Sequence, residues 1–78
     1  MEFKLKAEFI ELDNMLKILE LVRCGAQAKQ EVQAGLVRVN GLVEARIRRK
    51  LRSGDCVEFN GRKINIIAWK NKKQAGVM

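Results

Sequence analysis

Two Asn-Gly pairs, Asn40-Gly41 and Asn60-Gly61, constrain this chain more than any other feature. The two-residue hairpin turn that suits twisted strands needs positive φ at both central positions, which Asn and Gly tolerate. Apolar and polar residues alternate around each pair. In "LVRVNGLVEA", Val37 and Val39 point one way and Arg38 the other. In "CVEFNGRKINIIAW", Val57, Phe59, Ile64 and Ile66 repeat the scheme. A further turn, "RSGD" at 52–55, lies between them. This half of the chain therefore reads as a small, mostly antiparallel sheet with one buried face.

The period differs in the first half. Phe3 and Leu5 alternate with Lys4 and Lys6, which predicts a short strand over 2–6. Leu12, Met15, Leu16 and Leu19 follow the i, i+3, i+4, i+7 spacing of an amphipathic helix. Glu11 and Asp13 sit near its start, where negative charge suits the helix dipole. Gly25 marks a break. "GAQAKQEVQAG" predicts a second helix with Ala28 and Val32 on one face and Gly35 as its left-handed stop. A linker of about four residues makes the helices packed neighbours. The fold class is α+β: two packed helices and a short N-terminal strand against the sheet. Trp69 is expected to cap the core.

With 78 residues there is room for one small domain, expected over 1–70, with a flexible basic tail over 71–78. Cys24 and Cys56 are too few for a disulfide framework and read as small hydrophobes in the apolar interior of an intracellular protein. No apolar run is long enough to span a bilayer, and the N-terminus lacks a signal-peptide core. The expectation is a soluble cytoplasmic chain.

Catalytic signals are missing. Histidine is absent, which removes the commonest general base and metal ligand. Two cysteines alone cannot hold a four-ligand zinc site, and there is no glycine-rich phosphate loop. Asp13 and Asp55 are isolated carboxylates with local explanations, a helix start and a turn. The chain reads as a non-enzyme without cofactor, metal or small-molecule substrate.

Charge is the remaining signal. The net charge is +7 and uneven: residues 1–34 hold five Lys/Arg against six Asp/Glu, residues 35–78 eleven against three. Its focus is "ARIRRKLRSGD", with Arg46, Arg48, Arg49, Lys50 and Arg52. Such a run is often only a solvated surface. Here four of the five cations are arginines, whose forks match phosphate oxygens. Ile47 and Leu51 can pin the segment to the core, and only Glu44 and Asp55 flank it. Two flanking acids are not expected to neutralise five cations, and a fixed, uncompensated arginine patch of this kind suits phosphate. Few aromatics argue against single-strand stacking platforms, and no basic recognition helix supports a major-groove DNA reader. The membrane-surface signature of a basic amphipathic helix is missing too. Folded RNA is the partner that remains.

The ordered set of motifs resembles the S-four RNA-binding domain. The residues are Leu12-Asp13 and Leu16 in the first helix, Ala28-Lys29 in the second, Gly35, Val39-Asn40-Gly41 and Gly54-Asp55. "CGAQAK" and "ARIRRKLRSGD" are most similar to the small stand-alone, YbcJ-like branch of that family. Larger members start the second helix with a Ser-Arg-Arg type sequence, where this chain has Cys24-Gly25-Ala26. The resemblance implies a non-catalytic RNA-binding module with the αL motif, acting on ribosomal, tRNA-like or other structured RNA. Candidate contacts are Arg46, Arg48, Arg49, Lys50 and Arg52, with Lys29, Arg38 and Arg62 in a second tier and Lys17 and Arg23 behind them. Asn40 and Gly41 are assigned to the turn. A monomer bound to structured RNA, with the ribosome as a candidate, is the expected state. The alternative is a protein-interaction module docking on an acidic partner in the translation machinery.

Overall fold

The computed structural model describes residues 1–69; the expected tail over 71–78 lies outside them. The order of elements is β1 (Glu2–Leu5), β2 (Ile10–Glu11), α1 (Leu12–Ile18), α2 (Gly25–Gln33), β3 (Val37–Val39), β4 (Leu42–Val43), β5 (Lys50–Leu51), β6 (Cys56–Phe59) and β7 (Arg62–Ala68). Five strands form one sheet in the order β1-β7-β6-β3-β4. All its pairs are antiparallel except β1 with β7. Strands β2 and β5 form a separate antiparallel pair. The α+β reading with two helices and a mostly antiparallel sheet therefore holds. Among the described residues no helix is long and apolar enough to cross a membrane.

Strand parity builds the core. Val39, Val57 and Ile64 stand opposite one another across three strands, and all are buried. Leu12, Met15 and Leu16 from α1 and Ala28 and Val32 from α2 join them in one apolar cluster. The opposite face carries Arg38, Glu58 and Lys63 in register. Lys63 Nζ lies 3.8 Å from Glu58 Oε2 in an exposed ion pair, an arrangement worth about 0–1 kcal/mol.

Both Asn-Gly pairs form the expected turns. Asn40 and Gly41 have φ of 55° and 85°, Asn60 and Gly61 of 56° and 77°. Gly35 (φ 78°) closes α2 in a Schellman motif. Its N–H donates to Val32 O at 3.0 Å, and Leu36 N–H donates to Glu31 O at 3.1 Å.

Four expectations are corrected. Helix α1 ends at Ile18, well before Gly25, which instead opens α2. The stop is Glu20, left-handed at φ 59°, with the same pair of closing bonds: Glu20 N–H to Lys17 O at 2.9 Å and Leu21 N–H to Leu16 O at 3.0 Å. The linker over 19–24 is accordingly longer than four residues, and Val22 within it is buried. The cysteines do not join the core. Cys24 is exposed just before α2, and Cys56 is half-buried because Val57 and Phe59 take the inward positions of β6. Trp69 does not cap the core either: it is 47% exposed, with Lys4 and Lys6 Nζ at 5.8 and 5.0 Å from its ring centre.

Candidate nucleic-acid interface

The basic segment over 46–52 is held from beneath at several points. Leu51 is fully buried and pairs with Ile10 across β2 and β5. Ile47 packs against the core cluster. The first N–H groups of a helix have no partner within the helix. In α1 two of them are used on this segment: Leu12 N–H donates to Arg49 O at 2.9 Å, and Asp13 N–H to Ile47 O at 3.1 Å. The backbone that carries the arginines is thus bonded to the start of α1.

Glu44 fixes two of the cations from the side. It is the one charged residue buried among those described. Its Oε2 accepts from Arg46 N–H at 2.9 Å and from Arg46 Nε at 3.0 Å. Its Oε1 lies 3.4 Å from Arg46 Nη2 and 3.4 Å from Arg49 Nε. The hydrogen bond from the Arg46 side chain holds the Glu44 carboxyl below the usual carboxylate range. Burial opposes this, while the Arg46 N–H and the charges of Arg46 and Arg49 reinforce it. The patch is therefore partly compensated, contrary to the expectation that flanking acids leave it alone. Arg48, Lys50 and Arg52 make no ion pair among the described residues.

The far end of the segment is tied by Asp55. Its Oδ2 accepts from Arg52 N–H at 2.9 Å, and its Oδ1 from Asn40 Nδ2 at 3.1 Å. Asn40 Oδ1 in turn accepts from Cys56 N–H at 2.9 Å. Burial pushes the Asp55 carboxyl up, but these bonds and the charges of Arg49 and Arg52 outweigh it and leave it lowered. Asn40 thus serves the turn and also links the end of β3 to the start of β6.

The result is an open concavity of ≈ 590 Å³ lined by Arg46, Arg48, Arg49, Lys50 and Arg52. All five primary candidates are brought together. The second tier is not: Lys29 is exposed on α2, and Arg38 lies on the outer sheet face opposite Glu58. Arg62 follows the Asn60-Gly61 turn, at the opposite end of β6 from Asp55. Sequence reasoning missed Phe9. Lys50 Nζ lies 4.8 Å and Arg52 Cζ 5.9 Å from its ring centre, within the range of cation–π attraction. Nothing in the spacing marks Phe9, because the partners are brought to it only by the β2–β5 pair.

Comparison with known proteins agrees with this architecture. YbcJ of Escherichia coli (strain K12) is 38% identical over 63 residues, covering 81% of this chain and 90% of that protein. YbcJ of Shigella flexneri matches to the same extent. The solution structure of E. coli YbcJ matches with a TM-score of 0.66 at 38% identity, covering 86% of each chain. That structure is described as revealing an αL motif involved in RNA binding. The S4 domain profile matches residues 3–67, nearly all of the described chain, and the chain belongs to the S4 domain family.

Proposed function

We propose that this chain binds structured RNA without catalysing a reaction, by gripping phosphates with Arg46, Arg48, Arg49, Lys50 and Arg52. The observation that carries the reading is the single concavity lined by those five cations, on a backbone bonded to α1 and anchored by Leu51. Membership of the S4 domain family and the RNA-binding motif described for E. coli YbcJ support it. Ribosomal RNA or a tRNA-like fold is the target class. Lys29, Arg38 and Arg62 make outer contacts, and their alanine variants weaken binding less than Arg48→Ala does.

Counterion release makes the reading measurable. Each neutralised phosphate contributes about −0.7 to −0.9 to the slope of log K against log salt. Five contacts give a slope of roughly −3.5 to −4.5. The test is binding of the purified chain to a folded ribosomal RNA fragment and to a DNA duplex of equal length, across a salt series. Tighter binding to the RNA at physiological salt, with Arg48→Ala flattening the slope by about one unit, is the expected result. Equal binding to both, erased at physiological salt, refutes it.

A further inference from the structure

A second concavity adjoins the cationic one and shares two of its walls. It measures ≈ 440 Å³, and its lining joins the apolar Val39, Leu42, Val43 and Ala45 to the charged Glu44, Arg46 and Arg49. Arg46 and Arg49 also line the cationic concavity. Leu42 is 74% and Val43 56% exposed, on the free outer edge of the sheet. By strand parity Leu42 stands on the face of Val39 and Val43 on that of Arg38. The apolar wall beside the arginines is therefore Leu42 with Val39 and Ala45, and a side chain as exposed as Leu42 in a groove next to two arginines is a candidate contact.

Resting on the RNA reading above, we infer that this groove receives an unpaired nucleobase of the bound RNA while the phosphates beside it sit on the Arg46–Arg52 segment. A nucleotide complements the two chemistries found side by side here: its base offers a flat apolar face to the groove and its phosphate an anion to the adjacent arginines. Guanidinium planes stack on bases, and Glu44 fixes Arg46 and Arg49 through their Nε atoms. Two other occupants fit less well. A second copy of the chain would bring another +7 of charge toward Arg46 and Arg49. An added peptide strand would find an edge only two residues long, Leu42–Val43. The RNA class is therefore a folded RNA with a bulged or looped-out nucleotide, in preference to an unbroken duplex.

The test uses the full chain and five RNA hairpins. One has a fully paired stem; the others carry a single A, C, G or U bulge in the same stem. At physiological salt at least one bulged hairpin is expected to bind about fivefold or more tighter than the paired one. The double variant Leu42→Ser/Val43→Thr alters only exposed side chains. It is expected to lose that preference while keeping wild-type affinity for the paired hairpin and the wild-type salt slope. Arg48→Ala is expected to weaken all five hairpins together. Equal binding of all five hairpins, with a steep salt slope, overturns the base groove and leaves phosphate gripping intact. Failure of any hairpin to bind better than a DNA duplex overturns the RNA reading itself. A double variant that changes the sedimentation of the free chain but not its RNA preference assigns the groove to contacts between copies, and likewise overturns the inference.

Discussion

Removal of the Asn40 side chain tests whether the end of the basic segment is tied to the sheet as the geometry requires. Asn40→Gly keeps the positive φ of the turn but deletes two bonds: Nδ2 to Asp55 Oδ1 at 3.1 Å, and Oδ1 from Cys56 N–H at 2.9 Å. A bond to a charged group contributes about 1.5–3 kcal/mol and a neutral one about 0.5–1.5 kcal/mol. Both lie at exposed positions, where water replaces part of each loss, so the lower ends apply. The deleted bonds then amount to about 2 kcal/mol. The added backbone freedom of glycine brings the total to roughly 2.5–3 kcal/mol. For a domain of this size that is a Tm drop of at least about 10 °C.

Two companion variants check the reasoning. Asn40→Ala loses the same bonds and adds left-handed strain, so it falls below Asn40→Gly by about 1 kcal/mol. Asn40→Asp keeps an acceptor for Cys56 N–H but sets a carboxylate against that of Asp55. It is the least stable of the three at pH 7, and it gains on the others as the pH falls from 7 to 4, because the facing carboxylates favour uptake of one proton. The assay is urea unfolding followed by circular dichroism at pH 7 and pH 4. If Asn40→Gly lies within about 0.5 kcal/mol of the wild type, the Asn40–Asp55 tie contributes nothing and the account of this corner is wrong.

Further variants address the rest of the framework. Leu51→Ala empties a fully buried site beneath the arginines and is expected to cost about 3 kcal/mol in chemical denaturation. Glu20→Gly relieves a left-handed non-glycine residue at the end of α1 and is expected to raise stability by about 0.5–1 kcal/mol, read as a higher Tm. Glu44→Gln removes the charge that holds Arg46 and Arg49 and is expected to destabilise the chain at pH 7 by about 1.5 kcal/mol. The Glu44 carboxyl is lowered in the folded state, so its contribution is complete above its unfolded pKa of about 4.3 and fades as pH falls through the folded value. The gap between wild type and Glu44→Gln should therefore close in acid; a gap that persists at pH 2 points to lost packing instead.

The hairpins were legible because their signals are local. Asn40-Gly41 and Asn60-Gly61 specify positive φ in the sequence itself, and the alternation of Val37, Val39, Val57 and Phe59 specifies the buried face. Gly35 carries its own signature as well. Glu20 does not: it adopts the same conformation as Gly35 with no compositional hint, because the packing of Leu16 and Val22 on either side decides the path of the chain. The two-residue strands β2 and β5 are too short to show a period. Their pairing is a long-range contact, and with it the placing of Phe9 under Lys50 and Arg52 was hidden. The parallel partnership of β1 with β7 joins the two ends of the described chain and has no local trace either. Both cysteines were misplaced by composition: a residue type that favours interiors was overruled by strand parity at Cys56 and by a helix start at Cys24.

The crowding of five cations becomes intelligible once their supports are considered together. Two like charges at 4 Å repel by about 1 kcal/mol in water. At physiological ionic strength charges more than roughly 8 Å apart are largely screened. Exposed cations therefore repel one another only modestly, and Glu44 removes part of that repulsion at Arg46 and Arg49, the two it contacts. The ordering cost is met by the fold: Leu51 is in the core, Arg49 O and Ile47 O are bonded to α1, and Asp55 closes the far end. A polyanion meeting this surface finds the backbone already ordered, so less of its binding energy is lost to immobilisation. The same polyanion relieves the remaining repulsion. Under the proposed phosphate grip, salt acts with opposite sign on the two states, easing the repulsion in the free chain while weakening the hold on a bound phosphate backbone.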